Sequence, residues 1–441
     1  MKHQLALLGL ATLPLFAQNY DVALIGDMPY GAAAEPKYLR VIAEINRQPG
    51  VEFTAFIGDT KSGSTRCDNA HYTQALGWFN SFEKPLNYSV GDNEWTDCMR
   101  TNNGAYNPLD RLAVVRRTYF STNMSLGKNP IALKRQSDDP NFVAYVENTM
   151  LVKGPVVYVS IHMPGSNNNL EYKNNQGSPN PFYDNDREYA SRNAANLAWL
   201  KQAFQTAKDT NSFGVMILVQ ANIFETFMET TVGNSKSGYS DFVTALRAEV
   251  KNFKGEVAMV SGDSHYMRVY KPLTEQYPRC ISATGDCKPF EAALDARGAT
   301  LLNFTHVEVP GSTNVHWMLC HVRPGSRNLF TFEFMLVPDA ATVPASGVTA
   351  VVTDAAGNAA STFDVNNSQF TLDASRSNSG AFRGLTYSWA SAPGYPSVGI
   401  TRGDTATPLV QLGSRGTYQL LLTVTDRLGN ASGSTITVRY N

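Results

Sequence analysis

Two apolar, β-branched runs in this chain stop abruptly at Gly-Asp, Phe53–Ile57 before Gly58-Asp59 and Met259–Ser261 before Gly262-Asp263, and the same ending follows Val22–Ile25 at Gly26-Asp27 and Asn87–Val90 at Gly91-Asp92. A run that is apolar throughout predicts a strand buried on both faces, as in a parallel sheet, and ligands bind beyond the carboxyl ends of such strands. The glycine is read as the residue that lets the chain turn, so that the acid points into the crevice. Strands are predicted over 22–26, 53–57, 86–90, 142–147, 151–161, 213–219, 256–260, 300–309 and 328–337. Period-3.6 stretches between them predict helices over 35–48, with Tyr38, Ile42 and Ile45 on one face, and near 70–81, 108–119, 186–209 and 239–252. Strand, helix, strand at this spacing is the signature of βαβ units. Pro164–Asp186, rich in Asn, Pro and Tyr, reads as a long surface loop.

The pattern changes near Val337. A Pro/Ala linker over 338–347 is followed by period-2 strands such as Gln419–Thr425 and Ser434–Tyr440, set between Gly/Asn/Ser turns, which predicts an all-β sandwich over 348–441. Phe370–Ser375, Tyr387-Ser388-Trp389, Gly416-Thr417-Tyr418 and Leu422–Asp426 resemble a PKD domain, an immunoglobulin-like module, with Trp389 as its core tryptophan. The resemblance implies a spacer or an adhesive module that takes carbohydrate or protein.

Composition adds exclusions. Lys and Arg (37) balance Asp and Glu (38) for a net charge of −1, so nothing favours nucleic acid or an anionic membrane. Lys2 and His3, an apolar run over Leu5–Ala11 and small residues near Ala17 have the order of a secretory signal over 1–17, too short to span a bilayer. No other stretch is apolar for long enough to be a transmembrane helix, and a secreted or periplasmic location is expected. Of five cysteines, Cys67 and Cys98 fall on the same sheet edge and could pair, and Cys280 and Cys287 could close a small loop. Cys320 would be left over; the alternative is five buried thiols.

Four strand-end carboxylates repel one another unless cations hold them, so the pattern predicts a metal site. The order Asp27, Asp59, Asp92-Asn93-Glu94, Gln220, Asp263-Ser264-His265 resembles the calcineurin-like metallophosphoesterases, which include the purple acid phosphatases. That resemblance implies a four-layered αββα sandwich over 18–337 and a metal-dependent phosphoric ester hydrolase acting on a small phosphate ester. It places Asp27, Asp59 and His265 on one metal, and Asp92, Gln220 and Asp263 on a second that shares Asp59. Pro29 stands where the first motif carries a histidine, and Asp92 replaces the metal-binding asparagine. Asn93 takes the place of the histidine that assists the leaving group, a catalytic and substrate-binding position. Gln220 and Asp263 stand where the fourth and fifth motifs carry histidines.

Carboxylates and an amide in place of imidazoles make the donor set harder. That favours one or two Mg²⁺, Mn²⁺ or Ca²⁺ ions over Zn²⁺ or iron. A metal pair about 3.5–4 Å apart would orient water for in-line attack and stabilise developing charge. Lys61 has three readings: an ammonium in one metal's place, a substrate-phosphate contact, or a solvated loop residue. His162 is either a leaving-group acid and substrate contact or a hydrogen-bonded structural residue, and Glu94 is read as orienting a neighbouring loop. The alternative to an enzyme is a non-catalytic binding or adhesion protein that keeps the fold.

Overall fold

The computed structural model describes residues 18–171, 173, 177–224, 237–274, 299–337, 348–354, 356–379, 385–426 and 431–441. The expected signal segment, the linker over 338–347 and Cys280 with Cys287 lie outside the described residues. The chain divides into two compact units, Met1–Leu336 and Val337–Asn441.

The first unit holds two mixed sheets. In the five-stranded sheet, β1 (Tyr20–Ile25), β2 (Val51–Ile57) and β3 (Leu86–Ser89) run parallel, β11 (Trp317–Val322) adds antiparallel to β1, and β12 (Phe330–Met335) adds antiparallel to β11. The seven-stranded sheet has the order β4 (Lys134–Arg135), β5 (Thr149–Lys153), β6 (Val156–Ser160), β7 (Gly214–Leu218), β8 (Glu256–Ser261), β10 (Phe304–Pro310), β9 (Tyr266–Tyr270). Its middle, from β6 to β10, is parallel. Helices α1 (Glu35–Asn46), α2 (Asn69–Phe79) and α3 (Pro108–Tyr119) follow the first strands. A short turn, α4 (Gly165–Asn168), precedes the long α5 (Asn185–Asp209), and α6 (Ser240–Lys251) leads into β8. Pro108 and Pro36 sit at helix starts, where the missing N–H costs nothing, and Asp184 caps α5 by accepting from two backbone N–H groups.

The expected four-layered αββα sandwich is not what forms: strand outweighs helix, 32% to 24%, in several sheets with few helices. The cause is connectivity. Parallel neighbours require long crossovers, whereas β4–β5–β6, β9–β10 and β11–β12 are antiparallel, and β5–β6 and β11–β12 join by short turns. The sequence reading missed β9 and β11, and β11 lies beside β1 in the middle of its sheet. It also made a strand of 142–147, where the chain instead turns repeatedly, with Phe142 N–H donating to Asp139 and Tyr145 N–H to Phe142. Apolar character there does not mean burial, since Val143 is 64% exposed.

One apolar cluster joins residues of both sheets, among them Val22, Leu24, Phe53, Ile57, Val156, Met216, Ala258, Val260, Met318 and Cys320. Another packs α5 and α6, through Trp199, Leu200, Phe204, Phe242 and Leu246, onto β6, β7 and β8. Burial of these side chains, at about 25 cal/mol per Å² of apolar surface, holds the two sheets in place, so that the carboxyl ends of their parallel strands supply one set of acids. Cys67 and Cys98 form a disulfide, and Cys320 is free and buried. No helix among the described residues is long and apolar enough to cross a membrane.

Among its described residues the second unit is strand and turn, with sheets of four, three and two strands around a core that includes Trp389, Val410, Tyr418, Leu420, Leu422 and Val438. Tyr418 Oη donates to Ser414 O at 2.5 Å, tying a strand to the backbone before it.

Candidate metal centre

β1, β2, β3 and β8 each end two or three residues before an acid, which delivers Asp27, Asp59, Asp92 and Asp263 to a common edge. Asp27, Asp59 and Asp263 take left-handed backbone conformations, with φ of 53°, 57° and 70°, and His265 takes 66°. Non-glycine residues rarely adopt this region, and such strain concentrates at functional positions. Of the four preceding glycines, only Gly58 has a positive φ. The others mainly clear space. A Cβ on Gly91 would lie 2.0 Å from Asp59 Oδ1, and one on Gly262 would lie 2.1 Å from Asp27 Oδ2. The sequence reading assigned the turn to glycine; in three of the four cases the acid itself takes it, or no left-handed residue is needed.

Asp59, Asp92 and Asp263 each bring an oxygen to within 4.8 Å of the other two, and this group can hold a metal ion. Asp59 and Asp263 have carboxyls held well above their ordinary range, first by burial and then by neighbouring carboxylates, with Asp92 foremost. Asp92 is also raised, chiefly by burial, against the hydrogen bond from Ser166 and the charge of Arg100. Asp27 is fully buried. Its Oδ1 accepts from the Asp263 N–H at 3.0 Å, and its Oδ2 has no hydrogen-bond partner. A buried, unpartnered carboxylate oxygen beside three mutually repelling acids is the signature of a position that a cation satisfies. The carboxylate oxygens of Asp59, Asp92 and Asp263 suit a hard divalent ion.

Gln220 reaches the centre of this group, but with its nitrogen. Its Nε2 donates toward Asp59 Oδ2 at 3.1 Å, Asp92 Oδ1 at 3.2 Å and Asp263 Oδ1 at 3.2 Å. Its Oε1 accepts from the Gly165 N–H at 2.5 Å. A backbone N–H can only donate, so the oxygen is fixed on Gly165 and Gln220 does not offer the ligand atom expected of it.

His265 donates through Nδ1 to Ser312 O at 2.7 Å and places Nε2 3.3 Å from Asp27 Oδ1. Burial lowers its basicity, but the Asp27 carboxylate outweighs that and raises the ring to about 9, so it is imidazolium at neutral pH. Asn93 donates to Asp59 through its backbone N–H at 3.2 Å and its side chain at 2.7 Å. Tyr30, which the sequence reading did not single out, places its hydroxyl 3.3 Å from Asp59 Oδ2, 3.4 Å from His265 Nε2 and 3.5 Å from Asp27 Oδ1, and accepts from Asn93 Nδ2. Its one sequence signal was its place three residues beyond Asp27, in the loop after the strand end.

Glu94 binds no other acid. It accepts from the N–H groups of Asp59, Thr60 and Gly91, fixing the β2 and β3 loops as expected. Lys61 is buried, not solvated, and Nζ donates to Ser62 O at 3.2 Å; burial lowers its pKa against nearby acids. His162 lies in a buried, ion-paired cluster. Its side chain is 0% exposed, Nδ1 pairs with Glu147 at 2.8 Å, and burial first, then Arg192 and Arg116, hold it neutral against Glu147. Glu147 is in turn bound by Arg116 at 2.5 Å. The disulfide lies against this region, with Cys67 Sγ 3.6 Å from Asn93 O.

No family model matches the chain, and no curated protein does, so the metallophosphoesterase resemblance stands on its strand-end motifs alone. Among solved structures, the chain has a weak neighbour in the PKD domain from KIAA 1837 protein, at 25% identity and TM-score 0.16 over 18% of this chain and 78% of that one. GAP50, the anchor in the inner membrane complex of Plasmodium, is 10% identical at TM-score 0.36 over 73% of this chain and 90% of its own. A nucleoside hydrolase-related hypothetical protein from Saccharophagus degradans is 14% identical at TM-score 0.21 over 96% and 100%. Likenesses this weak carry no argument about chemistry.

Proposed function

We propose that this chain is an exported, metal-dependent hydrolase of phosphate esters. The observation that carries the reading is the buried convergence of Asp59, Asp92 and Asp263, beside the unpartnered Asp27 Oδ2. Asp59, Asp92 and Asp263 would hold Mg²⁺, Mn²⁺ or Ca²⁺ in preference to Zn²⁺ or iron, because hard oxygens suit hard cations. Such a cation supplies Lewis-acid polarisation of a phosphoryl oxygen and a fixed point for orienting water. His265 is the partly exposed cation at the rim, with its side chain 25% exposed, and is placed to meet a phosphate oxygen and to return a proton to the leaving group. Asn93 and Tyr30 contribute neutral donors that orient Asp59 and an incoming anion. The disulfide and the N-terminal sequence pattern support export to an oxidising compartment, and the C-terminal unit is read as a spacer or adhesive module.

The test is hydrolysis of p-nitrophenyl phosphate and bis(p-nitrophenyl) phosphate with Mg²⁺, Mn²⁺ or Ca²⁺. Cation-stimulated turnover is expected, reduced on the order of a hundredfold in Asp59→Asn. No turnover with any cation would overturn it. A second reading, a non-catalytic binding protein, is favoured by one observation: His162 is sealed against Glu147 and cannot replace the histidine whose place Asn93 takes. Cation binding without turnover would select it.

A further inference from the structure

The Gln220 amide nitrogen lies where opposing charge is needed most, in reach of one oxygen of each of three acids. An amide NH₂ carries two protons, so it answers two of these acceptors at a time and leaves the third to share. We propose that Gln220 is an internal stand-in for the cation: its NH₂ group bridges Asp59, Asp92 and Asp263 in the cation-free protein and must be displaced when a divalent ion enters. The proposal rests on the metal-dependent reading above.

Two features tie the amide to this role. First, Gly165 N–H holds Oε1, so the nitrogen faces the acids by construction and rotation would set two donors against each other. Second, the segment that provides this N–H is itself fixed on the same acids. Ser166 Oγ donates to Asp92 Oδ2 at 2.6 Å and to Asp97 Oδ1 at 3.0 Å, and a Cβ on Gly165 would lie 2.7 Å from either oxygen of Asp263. Ser166, Asn167, Asn168 and Asn169 are all left-handed, with φ of 51°, 53°, 53° and 64°, and all four are buried. The amide therefore competes with any cation for the same oxygens, and it weakens cation affinity instead of adding a ligand.

The test is Mn²⁺ binding by titration calorimetry to the full chain and to Gln220→Met and Gln220→Ala, the first keeping volume and the second removing it. Both variants are expected to bind Mn²⁺ more tightly than the parent, by on the order of tenfold, the worth of one competing hydrogen bond. In EDTA both are expected to melt below the parent, because three acids lose their shared donor, and Mn²⁺ is expected to recover the difference. Equal or weaker Mn²⁺ binding by folded variants would overturn the proposal while leaving the metal-dependent reading intact. No Mn²⁺ binding by parent or variants would overturn both.

Discussion

At the scale of the residue, four acids do not share a buried edge without consequence. The carboxyls of Asp59 and Asp263 are held above the ordinary range by burial and by each other's neighbour Asp92. A carboxyl whose folded pKa is raised keeps its proton longer when folded. Its stabilisation is complete below the unfolded value of about 4 and is lost as pH rises through the folded value. The contribution of these acids to the stability of the first unit should therefore fall as pH rises from about 4 toward neutrality, read as a widening gap between the melting temperatures in saturating Mn²⁺ and in EDTA. An EDTA profile that coincides with the Mn²⁺ profile would show that the acids do not meet in solution. These acids were legible because each closes an apolar run. Tyr30 was not, since a residue in an irregular loop has no period to betray it. The burial of Lys61 and the orientation of Gln220 depend on tertiary contacts, with Gly165 contacting Gln220 from 55 positions away.

At the scale of the element, the glycines before the acids act mainly as absent side chains. Gly91→Ala would drive a methyl into Asp59 Oδ1 and should cost about 1–3 kcal/mol and weaken Mn²⁺ binding. Gly77→Ala, in α2 with nothing within 4 Å of the new Cβ, should instead raise stability by about 0.5–1 kcal/mol. Urea melts of the pair, with calorimetry for Mn²⁺, check both signs. Strand β10 carries a second pH effect. Burial, then the charge of Arg268, lowers His306 to about 3. A histidine depressed in this way stabilises fully above its unfolded value of about 6.5, and stability is lost as pH falls from there toward 3, at about 1.4 kcal/mol per unit. His306→Gln, which keeps a partner for Ser261 Oγ, should flatten that part of the acid limb; an unchanged limb would assign it to other groups. β11 escaped the sequence reading because its apolar run, Trp317–Cys320, is short and is closed by His321 and not by a Gly-Asp ending.

At the scale of the whole molecule, the chain divides into two separately cored units, Met1–Leu336 and Val337–Asn441. Trp389→Ala, in the second core, should lower the stability of that unit by about 3–5 kcal/mol and leave Mn²⁺ binding to the first unchanged. The layering was the part the sequence misled on. Apolar runs show that strands are buried, but not which neighbours they take, and antiparallel additions such as β11 and β12 shift the balance from helix to sheet. The most direct test of the central claim is equilibrium dialysis of Mn²⁺ against the purified chain and Asp59→Asn. The carboxylate centre predicts at least one equivalent bound by the parent and its loss in the variant; no binding by the parent, or binding that survives Asp59→Asn, would contradict it.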